Sequence, residues 1–151
     1  MLGEYVSINE SYLWLLDIAT GKLTEITDRS VQGVSQSNAN FSSIPNEIWF
    51  ITDKDNEFER LASMNLNTKK TTYYTSNIPW NIENFKLSND KKSIVFISNE
   101  AGLNKMYLMN TATKAYKEVK NLPIGLISDP HFTNDNQTIF FNQSTAQSAS
   151  D

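Results

Sequence analysis

An apolar triplet returns along this chain at nearly constant spacing: Ile48-Trp49-Phe50, Ile94-Val95-Phe96 and Ile139-Phe140-Phe141, in steps of 46 and 45 residues. Three further elements keep that register. Phe41-Ser42, Leu87-Ser88 and Phe132-Thr133 precede the triplets. Leu13-Trp14-Leu15-Leu16-Asp17, Leu61-Ala62-Ser63-Met64-Asn65 and Met106-Tyr107-Leu108-Met109-Asn110 make a third set. Turns at Thr20-Gly21-Lys22, Thr68-Lys69-Lys70 and Thr113-Lys114-Ala115 introduce a fourth, Leu23 to Ile26, Thr71 to Tyr74 and Tyr116 to Val119. Such a repeat constrains the fold strongly, because each copy must be the same unit and must bury its apolar faces against its neighbours.

The runs are short, rich in β-branched and aromatic residues, and separated by Asn, Asp, Thr, Ser and Gly, which supply turn conformations. No 11-residue window keeps apolar residues at helical spacing without a turn cluster breaking it. Each unit therefore reads as four strands, and four strands in about 45 residues is the size of a β-propeller blade. The sequence predicts an all-β fold, a partial β-propeller of four-stranded antiparallel blades, about three to three and a half of them. The expected division is an incomplete blade over 1–31, blades over 32–79 and 80–124, and the first half of a blade over 125–151. Tyr5-Val6-Ser7-Ile8 reads as the second strand of the first blade, and the last copy is expected to break off after Phe140-Phe141-Asn142, where a third strand should follow the loop from Gln143.

With 13 basic against 17 acidic residues and a formal net charge of -4, the chain has no field that would gather phosphates, so nucleic acid is not an expected partner. No apolar run approaches a membrane span, and Met1-Leu2-Gly3-Glu4 lacks the pattern of a signal peptide. The hydrophobic fraction of 39% and mean hydropathy of -0.44 fit a soluble globular chain, with cytoplasm and periplasm both open. Absence of cysteine removes disulfides and thiolate metal sites. Sequons begin at Asn9, Asn40, Asn136 and Asn142, as an asparagine-rich chain produces by chance.

Candidate chemistry is sparse. Gly33-Val34-Ser35-Gln36-Ser37 approaches the G-x-S-x-G nucleophile elbow, but Ser37 replaces the second glycine and no helix follows, so a loop leading into a strand is the better reading of Ser35. His131 is the one histidine, follows Pro130 in an expected strand, and reads as a structural or channel-facing side chain. Asp53-Lys54-Asp55-Asn56-Glu57 alternates oxygen ligands like a calcium loop, yet Phe58 and Met64 stand where that loop needs Gly and Glu. Asp55, Glu57 and Glu59 read as a solvated acidic rim, able to attract a cationic partner. Trp14, Trp49, Trp80, Phe96, Tyr107 and Phe141 lie mostly at repeat-equivalent positions, where core packing accounts for them. No catalytic, cofactor-binding or metal-ligating residue and no cofactor is expected.

Ile78-Pro79-Trp80-Asn81-Ile82-Glu83-Asn84-Phe85-Lys86-Leu87-Ser88-Asn89-Asp90-Lys91-Lys92, Ile94-Val95-Phe96, Asn99-Glu100-Ala101-Gly102 and Met106-Tyr107-Leu108 together resemble the blade signature of the prolyl oligopeptidase (S9) family. Ser11-Tyr12-Leu13-Trp14-Leu15 to Thr20-Gly21-Lys22 and Leu122 to Ser128 fit it too, so the resemblance spans the chain. TolB-like periplasmic propellers share a very similar signature. Asn89 stands where the S9 pattern has Pro and Lys91 where it has Gly. The resemblance implies a non-catalytic propeller that gates substrate access to a C-terminal α/β-hydrolase domain, and peptide substrates that pass it. None of the family's Ser-Asp-His triad positions matches a residue here. The alternative is a TolB-like or stand-alone propeller serving as a protein interaction scaffold. In either case open blade edges invite a homodimer.

Overall fold

In the computed structural model, which describes residues 1–145, every regular element is a strand. Among the described residues there is no helix, and so none long and apolar enough to cross a membrane. The strands form four antiparallel sheets in the order of the sequence. The first holds β1 (Leu2–Ser7), β2 (Glu10–Leu16) and β3 (Leu23–Glu25), and the second β4 (Gln36–Phe41), β5 (Glu47–Thr52), β6 (Arg60–Asn65) and β7 (Thr71–Tyr73). The third holds β8 (Ile82–Leu87), β9 (Ser93–Glu100), β10 (Leu103–Asn110) and β11 (Tyr116–Glu118), and the fourth β12 (Leu126–Phe132) and β13 (Ile139–Ser144). Two compact units result, Met1–Pro79 and a second beginning at Trp80.

The Asp or Asn that ends the third strand of each repeat builds the following turn. Asp17 Oδ1 accepts from the N–H groups of Ala19 and Thr20, each at 2.9 Å. Asn65 Oδ1 does the same for Asn67 and Thr68, and Asn110 Oδ1 for Ala112 and Thr113, all at 3.0 Å. Each turn needs one residue at positive φ, supplied by Gly21 at 71°, Lys69 at 59° and Lys114 at 63°. A second turn, between the first two strands of a repeat, places Ser88 Oγ 2.6 Å from Asp90 Oδ1 and Thr133 Oγ1 2.6 Å from Asp135 Oδ1. There Lys91 at φ 58° and Asn136 at φ 61° hold the left-handed position, which is why glycine is the ordinary choice at Lys91.

In the first unit Leu13 and Ile26 pack against Ile48, Phe50, Ala62 and Met64 of the next sheet, all nearly inaccessible. On the opposite face of β5 and β6, Trp49, Ile51 and Leu61 are fully buried as well. Burial on both faces explains why Ile48-Trp49-Phe50 is a continuous apolar run, where a sheet with one wet face would alternate; in the third triplet Phe140 is 57% exposed. In the second unit Val95, Ile97 and Met106 bury against Ile127. Phe96 stacks on Tyr107 with centroids 4.9 Å apart, and Tyr116 meets Phe96 edge-on at 5.3 Å.

Two details differ from the sequence expectation. β1 spans Leu2–Ser7, pairing Leu2 with Trp14, because Glu4 accepts a 2.8 Å hydrogen bond from Trp14 Nε1, while Ile8 lies in the turn and is 83% exposed. The fourth strands are three residues long, although the N–H groups of Ile26, Tyr74 and Val119 still reach the carbonyls of Leu13, Leu61 and Met106. The stretch after Gln143, where the last copy is expected to break off, falls largely outside the described residues.

Candidate functional site

Ser35 sits just ahead of β4, in a loop that Gly33 turns at φ 70°. Its N–H donates to Asp53 Oδ1 at 2.8 Å and its hydroxyl to Glu59 Oε1 at 2.7 Å. A nucleophilic serine needs a base poised near neutrality and oriented to take its proton. Here the hydroxyl is instead used to tie the loop to Glu59, while the Ser35 N–H ties it to Asp53 at the other end of the Asp53–Glu59 segment. His131 belongs to the second unit, where its ring stacks on Phe140 with centroids 5.2 Å apart.

The Asp53–Glu59 segment closes on itself. Asn56 N–H donates to the Asp53 carbonyl at 2.8 Å, Asp55 takes φ 59°, and Asn56 Nδ2 donates to the Phe58 carbonyl at 2.9 Å. Asp55 and Glu57 face water, whereas Asp53 and Glu59 turn inward to the Ser35 loop. Among the described residues no three of His, Cys, Asp and Glu are grouped to hold a metal ion. Arg60, next in the chain, is 7% exposed; it donates to the Lys54 carbonyl and to Ser76 Oγ, and its guanidinium lies 4.0 Å above the Tyr73 ring.

The Ser35–Glu59 pair forms one wall of a cleft of about 470 Å³ beside β1, lined also by Leu2, Tyr5, Ile8 and Asn38. Among the described residues β1 is hydrogen-bonded on its β2 side alone. This groove therefore combines unpaired backbone groups with apolar side chains, the chemistry to which an extended segment adds as a strand.

One cluster escaped the sequence reading. In the second unit Glu100 Oε1 accepts from Ser98 Oγ at 2.8 Å and from the Tyr107 hydroxyl at 2.7 Å, and Glu100 Oε2 meets Lys105 Nζ at 2.5 Å. Burial pushes the Glu100 carboxyl up, but the Lys105 ammonium and the two hydroxyls outweigh it and hold the group below the usual carboxylate range. Burial, and then donation to that carboxylate, push the Tyr107 phenol well up. The signal was the polar stretch Ser98-Asn99-Glu100 at the end of an apolar strand, with Lys105 and Tyr107 opposite across the hairpin.

The remaining singled-out residues fall in different settings. Trp49 and Phe96 are fully buried, Trp14 and Phe141 partly, and Trp80 is 37% exposed. Asn9 occupies an exposed turn and Asn142 an exposed position on β13. Asn40 Nδ2 donates to the Asn38 carbonyl at 3.0 Å, and Asn136 Oδ1 accepts from Asn89 N–H at 2.7 Å.

The chain matches no protein-family model and no curated protein. Solved structures do share its fold. It superposes on TolB from Acinetobacter baumannii with a TM-score of 0.73 and 17% identity, over 93% of this chain and 34% of that one. On the tricorn protease the values are 0.54 and 21%, over 80% of this chain and 11% of that one. On a prolyl endopeptidase they are 0.55 and 15%, over 75% and 18%. The chain thus spans about a third or less of each of these proteins. Its four-strand repeat is shared with propeller-containing structures, and its fold is that of a partial β-propeller.

Proposed function

We propose that this chain is a non-catalytic propeller segment of a prolyl oligopeptidase-type serine peptidase, and that it restricts which peptides reach an α/β-hydrolase domain of the same polypeptide. Its blades in this reading are 1–31, 32–79, 80–124 and the first half of another at 125–151. The blade signature from Ile78 to Leu108 carries the reading, and the likeness to a prolyl endopeptidase agrees with it. Ser35 fits as well, since its hydroxyl is engaged by Glu59.

The test is to express the complete reading frame of the source gene and assay it on chromogenic peptides. A G-x-S-x-G motif in a hydrolase domain and turnover abolished by a serine-directed phosphonate are expected, with Ser35→Ala leaving the rate unchanged. A reading frame without a hydrolase domain overturns the proposal. The fit to TolB favours a second reading, an interaction scaffold. Specific recovery of one protein partner by a reading frame that lacks a hydrolase supports that alternative.

A further inference from the structure

Inside the first unit a cleft of about 460 Å³ opens between the sheet β1–β3 and the sheet β4–β7. Its volume is in the range of small-molecule sites. Its floor is apolar, made by Ile26, Phe50 and Met64. Its rim carries opposite charges from opposite sheets: Glu25 ends β3 and Asp28 follows it, and Lys54 and Lys69 come from the loops flanking β6. Neither lysine ammonium takes part in an ion pair or hydrogen bond among the described residues.

Gln36 is the unusual member of the lining. The residue is 7% exposed, and its backbone is fully occupied, N–H and carbonyl both meeting Ser11 Oγ at 2.7 Å. Its carboxamide has no hydrogen-bond partner among the described residues. An amide that makes no internal hydrogen bond and borders a cleft keeps its donor and acceptor available to a ligand. The pairing of β4 with β5 shows where it points. Phe41 opposes Ile48 and Asn40 opposes Trp49, but an extra residue at Asn38, φ 51°, shifts the register so that Gln36 opposes Thr52. Directly opposed residues share a face. Gln36 therefore lies on the face of Thr52 and Phe50, both of which line this cleft. Without the bulge it would oppose Asp53 and face the other way.

We propose that this cleft binds a small zwitterionic amide of dipeptide or tripeptide size. The peptide group pairs with the Gln36 carboxamide, which offers one donor and one acceptor in one plane, as a peptide bond does. The ligand's ammonium faces Glu25 and Asp28, its carboxylate faces Lys54 and Lys69, and an apolar side chain rests on Phe50 and Met64. Gln36 borders the Ser35 groove as well, but the other residues named here do not line it, and the site does not depend on any hydrolase domain.

Calorimetric titration of the 151-residue chain with the dipeptide Ala-Leu tests this. Saturable binding is expected, with N-acetyl-Ala-Leu-amide binding at least about tenfold more weakly because it keeps the amides and lacks the charges. Gln36→Met preserves side-chain volume and is expected to weaken Ala-Leu binding at least about tenfold with the unfolding transition retained. Val31→Trp, on the exposed lip of the cleft, is expected to abolish binding without touching the core, and decides the matter if Gln36→Met fails to fold. Absence of saturable Ala-Leu binding up to about 20 mM overturns the proposal, as does full affinity in Val31→Trp.

Discussion

Gly21, Lys69 and Lys114 hold one turn position in three copies of the repeat, all at positive φ, and two of the three are lysines. A Cβ added at Gly21 meets nothing within 4 Å, so the cost of a side chain there is that of the backbone conformation alone. Gly21→Ala is expected to destabilise the chain by about 1 kcal/mol and Lys69→Gly to stabilise it by a similar amount, measured by urea denaturation. Glu100 gives a pH-dependent counterpart. Its carboxyl lies below the usual range when folded, so its stabilisation is complete above the ordinary glutamate value and is lost as pH falls through the folded value. Tyr107 lies above its usual range, so its contribution is lost as pH rises past the ordinary tyrosine value. Glu100→Gln should cost about 1–3 kcal/mol at neutral pH and flatten the acid limb of a stability profile. An acid limb identical to wild type would refute this account of the cluster.

At the scale of the strand, the register is reinforced by side chains just beyond it. Thr27 Oγ1 accepts from Leu13 N–H at 2.9 Å and Thr75 Oγ1 from Leu61 N–H at 3.0 Å, at matching places after β3 and β7. Both threonines are buried, whereas the matching place after β11 holds Lys120. Thr75→Val keeps the shape and strands a buried N–H, so a loss of about 1–3 kcal/mol in chemical denaturation is expected, and a neutral result would contradict this role. The four-strand period, the Asx turns and the apolar triplets were legible in the sequence, because each rests on local residue chemistry repeated in register. The bulges were not. β4, β8 and β12 each slip by one residue, near Asn38, Glu83 and Asp129, and nothing in the alternation of those short polar strands marks the slip.

For the whole chain the exposed edge is the main liability. β1 is hydrogen-bonded on one side among the described residues, and its Leu2, Tyr5 and Val6 are 46%, 76% and 49% exposed. Such an edge templates pairing with another strand, so the 151-residue chain is expected to dimerise at high concentration. Multi-angle light scattering showing a monomer throughout would count against it. The acidic balance, with net charge -4, sets no large barrier to this association and gives no reason to expect nucleic acid among the partners.

The repeat, its four strands and the turn chemistry were determined by the sequence itself, since they follow from periodicity and from what Asn, Asp, Thr and Gly do locally. Which polar side chains meet was decided only in three dimensions. Ser35 reaches Glu59 from 24 residues away, and the Glu100 cluster forms across a hairpin. Gln36 faces its cleft because one extra residue in β4 inverts the face of everything before it. A strand's side-chain period is two, so a slip of one residue exchanges inside for outside, and register is a property of the pairing and not of the strand alone.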